Sequence, residues 1–389
     1  MAPPEKTELC NGVRMDSLED LRIAVAHDWL TGRAGGEKTF EQIAESFPTA
    51  DVYALTANPK IDWEFGGRKI NTTFLDRRGV RELRSLTLPL MPAAWRLASR
   101  QQYDVVISSS VACVKGFYPG RSAVHLSYVH APMRYVWDPD IDRRTRFEIP
   151  NSILNAFRNW DRTAAGWVDH FAANSTNTQE RIERVYGRKS VVITPPVDTE
   201  FYRPGPQSPA GGYLLAASRF VGYKRLDLAI ETAALLGRPL VVAGWGPGEE
   251  QLRALAKRIA PDLVTFEVRP SDERLRDLYR GADALLFPGI EDFGIVPVEA
   301  QACGTPVVAM NVGGTAETVL HKVTGMLVGS QSATALAYAV ERLDSAGLSR
   351  EDCVTNADRF GIDAFRKKIR EWVNLAVVGG AEAPLERAA

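Results

Sequence analysis

One local pattern occurs twice in the chain, and this repetition narrows the folds open to it. At each place a short, continuous apolar run leads into a glycine-bearing loop and then into a stretch of helical periodicity. The first begins at Arg22-Ile23-Ala24-Val25-Ala26 and passes through His27-Asp28-Trp29 and the turn 32–36. The spacing then predicts a helix over 37–47, with Phe40, Ile43, Ala44 and Phe47 on one face. The second begins at Tyr213-Leu214-Leu215-Ala216-Ala217, continues through the loop 218–224, and predicts a helix over 225–236. From each start, apolar runs alternate with helical patterns. The runs are 52–55, 105–107, 124–129, 170–173 and 191–193 in the first half, and 239–243, 263–266, 284–287 and 306–309 in the second. Runs that are apolar throughout suit strands covered on both faces. Each half is therefore expected to be an α/β domain built on a doubly wound parallel sheet.

Between the halves, Pro195-Pro196-Val197-Asp198 and the Pro- and Gly-rich stretch 202–212 break both periodicities and read as a hinge. A chain of 389 residues exceeds one ordinary core and suits two domains of about 180 residues each. The expected division is 20–196 and 197–361. The patterned segment 364–373, with Phe365, Ile369, Trp372 and Val373 on one stripe, belongs to a last helix (362–377) expected to pack back on the first domain. From Gly379 the polar, Ala- and Gly-rich tail reads as disordered. Ligands of open parallel sheets bind beyond the carboxyl ends of the strands, so two such sheets facing across a cleft would both contribute to a site.

Composition excludes several classes. A hydrophobic content of 45% with 24% charged residues describes a globular chain. The net charge of −1 gives no global attraction for nucleic acid, so any anion site must be local. Cys10, Cys113, Cys303 and Cys353 are far apart and form no metal-binding spacing; buried, inert thiols are expected. Residues 1–21 lack the apolar core of a signal peptide, and no run approaches the roughly 20 apolar residues of a spanning helix. A cytoplasmic protein is expected.

The densest chemistry lies in Phe287-Pro288-Gly289-Ile290-Glu291-Asp292-Phe293-Gly294-Ile295-Val296-Pro297-Val298-Glu299. A strand should end at Phe287 and a helix begin at Pro297, where a missing N–H costs nothing. Amides around Gly294, Ile295 and Val296 would then face outward as an anion site, with Gly294 allowing close approach. Glu291 and Glu299 could bracket a polyhydroxylated ligand, a ribose diol included, or could equally be solvated acids at a helix start. In Ser218-Arg219-Phe220-Val221-Gly222-Tyr223-Lys224-Arg225, Arg219 and Lys224 stand at the mouth of the same sheet. Together with the helix terminus they could neutralise a diphosphate without a metal, or form a solvated basic loop. Asp138-Pro139-Asp140 has metal-motif spacing but reads as a turn. The segment 77–97, with Arg77, Arg78, Arg81, Arg84, Leu86, Leu88, Leu90, Met91, Trp95 and Leu97, is basic and amphipathic. It could cover a core or lie on an anionic bilayer.

These residues carry a resemblance. The Ser-Arg-x4-Lys-Arg loop, the Glu-x7-Glu motif containing Glu-Asp-Phe-Gly, and Gly313-Gly314 with Glu317 resemble the retaining GT-B glycosyltransferases of family four. So do Gly35-Gly36, the segment Tyr128-Val129-His130-Ala131-Pro132-Met133-Arg134-Tyr135, Asn174-Ser175 and Pro195-Pro196-Val197-Asp198. The likeness spans roughly 21–373, and the His-Ala-Pro-Met-Arg-Tyr segment is similar to bacterial mannosyltransferases of polysaccharide assembly. It implies a GT-B fold of two Rossmann-like domains and transfer of a hexose, mannose from GDP-mannose first, to a glycan or lipid-linked acceptor. By the same resemblance Arg219 and Lys224 hold the diphosphate, Glu299 the ribose, and Glu291 with the Phe293–Ile295 amides the donor sugar. Gly35 and Gly36 admit phosphates and acceptor. His130, which taken alone would more often be a core histidine, faces the transferred sugar. Where the family often has Gly-Arg, this chain has Val268-Arg269, so Arg269 could contact base or phosphates. No metal or other cofactor is implied, and contact with the inner membrane surface through 77–97 fits a lipid-linked acceptor. A UDP-sugar donor, a phosphorylase or epimerase on the same fold, and a non-catalytic sugar-nucleotide sensor remain as alternatives.

Overall fold

The alternating runs resolve into two parallel sheets. The computed structural model describes residues 18–77, 87–98, 101–118, 120, 122–137, 151–205 and 212–378. The expectations for Cys10, 78–86, Asp138-Pro139-Asp140, 206–211 and the tail from Gly379 concern residues outside these ranges. The chain forms two units. One runs to Asn174, resumes over Thr178–Ile193 and takes the chain again from Phe365; the other holds Ser175–Asn177 and Thr194–Ala364.

The first unit's strands are β1 (Ile23–Leu30), β2 (Asp51–Ala57), β3 (Ile70–Thr72), β4 (Val105–Ser110), β5 (Val124–Val129), β6 (His170–Ala173) and β7 (Val191–Val192). They lie in the order β3-β2-β1-β4-β5-β6-β7, every pair parallel. The second unit's are β8 (Tyr213–Arg219), β9 (Leu240–Trp245), β10 (Val264–Val268), β11 (Ala282–Phe287), β12 (Val307–Met310) and β13 (Gly325–Val328), in the order β10-β9-β8-β11-β12-β13 and again parallel.

Continuous apolar runs follow from burial on both faces. In β1, Val25 packs with Phe40 and Ile107 on one side, while Ala24 and Ala26 pack with Trp95 and Val106 on the other. In β8, Leu214 and Ala216 serve one core and Leu215 and Ala217 the second. The last helix, Ile362–Val378, places Phe365, Ile369, Trp372 and Val373 in the core beneath the first sheet.

Two local expectations change. The first helix spans Gly35–Glu45, so Gly35 and Gly36 open the helix instead of belonging to the loop before it. The helix after β11 spans Ile295–Ala302, two residues earlier than a start at Pro297. Proline is tolerated at that third position because the N–H groups of a first turn have no intrahelical acceptor. The stretch read as a hinge begins where the chain passes from the first unit to the second, after Ile193, and its Val197 and Tyr202 are buried with Ala357 and Phe360. The Val197 N–H donates to the Phe360 carbonyl at 2.8 Å.

Both sheets share one consequence. Strand order reverses between β1 and β4, and again between β8 and β11, so the chain leaves these neighbours in opposite directions and opens a crevice at their carboxyl ends.

Candidate functional site

In the second unit the loops leaving β8 and β11 meet at this reversal. Arg219 ends β8 and is exposed, its guanidinium donating to the Tyr223 hydroxyl at 2.8 Å. A 3-10 turn, Gly222–Lys224, follows, and Arg225 adopts φ 52° to swing the chain into the helix Leu226–Leu236. Lys224 is buried and forms an ion pair with Glu291. The two loops approach this closely because residue 289 is glycine: a Cβ there would stand 3.0 Å from the Lys224 Cα and carbonyl oxygen.

The acidic loop is held from below. The Gly314 N–H donates to the Glu291 carbonyl at 2.8 Å. A Cβ on Gly314 would fall 2.1 Å from the Phe293 Cα, so the glycine pair 313–314 is a packing requirement. Gly294 caps the helix at φ 87°, a conformation costly for any other residue, and no side chain caps it. The Ile295 and Val296 N–H groups therefore occupy the first helical positions without intrahelical acceptors. The Phe293 side chain is buried against Phe360, leaving its backbone as the part a ligand could reach. Glu299 is not a solvated acid: it is 8% exposed, and its carboxylate accepts a hydrogen bond from the Tyr279 hydroxyl at 2.9 Å.

Further along the same edge, Arg219 is the register partner of Trp245, and Gly244 that of Val268. Trp245 is 47% exposed, and the Arg269 guanidinium lies 4.9 Å from its ring centroid. Arg269 takes φ 53°, and its N–H donates to the Gly244 carbonyl at 2.8 Å. Strand order thus lines up Arg269, Trp245, Arg219, Lys224 and Glu291 along one carboxyl edge.

In the first unit, Gly36 and His130 are neighbours: a Cβ on Gly36 would be 3.9 Å from the His130 Cε1. His130 follows β5, its N–H donating to the Ser110 carbonyl at 3.0 Å and its carbonyl accepting from the Asn174 side chain at 2.9 Å. Burial lowers its pKa to about 4, so the ring is neutral near pH 7. Beside it, Asp28 at the reversal point accepts four backbone N–H groups, from Val111 through Val114, at 2.6–2.9 Å. This fixes the loop leaving β4, and the fully buried Lys115–Asp161 ion pair at 3.1 Å anchors the end of that loop. Sequence reading passed over Asp28, Lys115, Trp245 and Tyr279. Asp28 stood in plain view beside His27 at a strand end, whereas Asp161 lies 46 residues beyond Lys115 and no local pattern joins them. Cys113, Cys303 and Cys353 are buried free thiols.

Known proteins share the two-sheet fold. Residues 34–201 match the family described as Glycosyltransferase Family 4, and residues 199–360 match Glycosyl transferases group 1. The chain has the GT-B fold of these glycosyltransferases. Anabaena HepE, solved in complex with UDP and glucose, superposes with a TM-score of 0.70 at 18% identity, covering 91% of this chain and 99% of that one. Sucrose-phosphate synthase from Thermosynechococcus elongatus gives 0.75 at 19% identity, covering 92% and 100%. Among curated relatives, D-inositol 3-phosphate glycosyltransferase 2 of Catenulispora acidiphila is 35% identical over 230 residues, 51% of this chain and 54% of that protein. The corresponding enzyme of Frankia alni is 38% identical over 177 residues, 39% of this chain and 44% of that protein. The GT-B chain thus spans about half the length of the curated relatives it matches. Both curated relatives are named for transfer to inositol phosphate.

Proposed function

We propose that this GT-B chain is a retaining hexosyltransferase that uses a nucleotide sugar. The observation that carries the reading is the carboxyl edge of the second sheet, where Lys224 pairs with Glu291, Arg219 ends β8 and a neighbouring loop carries the amides that open the helix Ile295–Ala302. Cations and oriented N–H groups suit a diphosphate leaving group, and buried Glu299 suits a pair of ribose hydroxyls. The bond from the sugar C1 to the diphosphate oxygen breaks as C1 bonds to the acceptor oxygen on the same face. The departing phosphate oxygen takes the acceptor's proton, and Arg219 and Lys224 stabilise the charge that develops. Glu291 accepts hydrogen bonds from the donor sugar.

For the donor we favour GDP-mannose, on the resemblance of the segment around His130. A UDP-sugar is the second reading, supported by the UDP and glucose held by HepE. The acceptor is a glycan or lipid-linked sugar, with a free inositol phosphate the option suggested by the curated relatives. Thermal shift with GDP-mannose, UDP-glucose and ADP-glucose ranks the donors, because a ligand that binds only the folded chain stabilises it by mass action. Transfer is then assayed with the best donor. Lys224→Ala should lower kcat/KM by about 10²- to 10³-fold; unchanged turnover would sink the assignment.

Peripheral attachment to the inner face of the cell membrane belongs to the same reading. No helix among the described residues is long and apolar enough to cross a membrane. Leu90 and Leu97 are 50% and 70% exposed on either side of the helix Met91–Arg96. Arg96 lies over the rings of Tyr118 and Trp167, both exposed. Aliphatic, aromatic and cationic groups in one place suit the boundary of an anionic bilayer. Leu90→Glu with Leu97→Glu should abolish flotation with anionic vesicles and leave sugar transfer to a soluble acceptor intact.

A further inference from the structure

At the reversal point of the first sheet, His27 on β1 and Ser109 on β4 are register partners, and His130 follows β5 on the far side of β4. The three side chains form one hydrogen-bonded chain. The His27 Nδ1 lies 2.9 Å from the Ser109 carbonyl oxygen and 3.0 Å from the Ser109 Oγ, and that Oγ lies 2.8 Å from the His130 Nε2. His27 and Ser109 are buried, with His27 stacked on Phe40 at 5.1 Å and edge-on to His130 at 5.9 Å.

Proton counting along this chain has one solution that leaves none of its buried protons without an acceptor: the Ser109 Oγ could accept from both rings, but its own proton would then have no partner among the described residues. A carbonyl oxygen can only accept, so the His27 Nδ1 must carry a hydrogen. The same N–H faces the Ser109 Oγ, which therefore accepts from His27. The hydroxyl's single proton is then left for its remaining partner, the His130 Nε2. A bare Nε2 on a neutral ring leaves the proton on Nδ1, which has no protein partner among the described residues.

We infer that His27 and Ser109 are positioning residues that lock His130 as the neutral Nδ1–H tautomer, so that it offers a ligand a hydrogen-bond donor and neither a base nor a nucleophile. The inference deepens the transferase reading and rests on it for the identity of the ligand. A neutral N–H donor suits a sugar hydroxyl or a phosphate oxygen, both of which can accept it, and the lock spares the ring the cost of choosing a tautomer on binding. Lowered pKa values at both rings, to about 3 and about 4, agree with two neutral imidazoles side by side.

The test is the tautomer itself, read from long-range proton–nitrogen spectra of the full chain with ¹⁵N-labelled histidine and no nucleotide or acceptor present. His130→Gln assigns the resonances by their loss. The wild-type chain should show a protonated Nδ1 and a bare Nε2 at residue 130. Ser109→Ala should move both shifts towards the averaged values of a ring exchanging between tautomers, and Ser109→Thr, which keeps the hydroxyl, should restore the locked pattern. A protonated Nε2 in the wild type, or a Ser109→Ala spectrum identical to it, overturns the inference. Ser109→Ala should also slow transfer by about three- to tenfold, the scale of one lost hydrogen bond. The spectra need no turnover, so the expected pattern in a chain that transfers no sugar would support the lock and sink the functional reading.

Discussion

Two histidines at the carboxyl edge of the first sheet make the chain sensitive to acid. Burial, with His130 alongside, lowers His27 to about 3, and burial holds His130 at about 4, against an ordinary value of 6.5. As pH falls below 6.5 the unfolded chain takes up protons that the folded chain refuses until about 4. The full stability present above pH 6.5 is therefore lost progressively below it. From pH 7 to pH 5 each ring should cost about 2 kcal/mol. His27→Gln should shrink the loss between urea titrations at pH 7 and pH 5 by about that amount. The replacement's own cost enters at both pH values and cancels, so an unchanged loss would refute the shift. At the other site the decisive residue was hidden from sequence. Glu299 could be read as a solvated acid or a ligand group, and the Tyr279 hydroxyl settles its burial from 20 positions away. Tyr279→Phe leaves that carboxylate without one donor and should weaken binding of the preferred nucleotide by about fivefold, as titration calorimetry would register.

The glycines show what each loop requires of its element. Gly244, one residue before the end of β9, takes φ 141°, and a Cβ there would sit 1.8 Å from the Ser218 carbonyl oxygen. Gly244→Ala should cost about 3 kcal/mol or more, seen as a lower melting temperature or loss of soluble chain. Gly36 makes no such demand, since its nearest neighbour would be the His130 Cε1 at 3.9 Å. Gly36→Ala should therefore fold normally, its stability unchanged or raised by about 0.5 kcal/mol. Slower transfer at an unshifted melting temperature would place the substrate at this helix start; unaltered transfer would remove it from there. Central strands could be read from the sequence because burial on both faces writes a continuous apolar run. The edge strands β3 and β13 could not. Ile70-Asn71-Thr72 is short and half-buried, and Gly325-Met326-Leu327-Val328 follows a turn with no distinct boundary. The helix starts at Gly35 and Ile295 were misplaced for a related reason, because glycines and a proline obscure a first turn whose hydrogen bonds have not yet begun.

At the scale of the molecule, the chain crosses from the first unit to the second and then returns. The stripe of Phe365, Ile369, Trp372 and Val373 shows in the sequence as an apolar face in need of cover, but periodicity alone does not say which sheet covers it. The answer is the first sheet, where Phe365 meets the Tyr128 ring at 5.9 Å and Arg366 donates to the Gln42 side chain at 2.9 Å. The last helix is thus a structural part of the unit that carries His27, Ser109 and His130, although the residues before it, 194–364, fold with the other. Phe365 is 2% exposed, so Phe365→Ala should leave a cavity and cost about 3–5 kcal/mol. The damage should be confined. None of the residues proposed to hold the nucleotide lies in the first unit's core, so donor-dependent stabilisation of the second unit should survive. Hydrogen exchange can separate the two responses. Amides of β1, β4 and β5 should lose protection in Phe365→Ala, while those of β8 and β11 keep theirs and still gain protection from the preferred donor. Equal loss across both sheets would mean that the units unfold as one, and that the terminal helix matters to both.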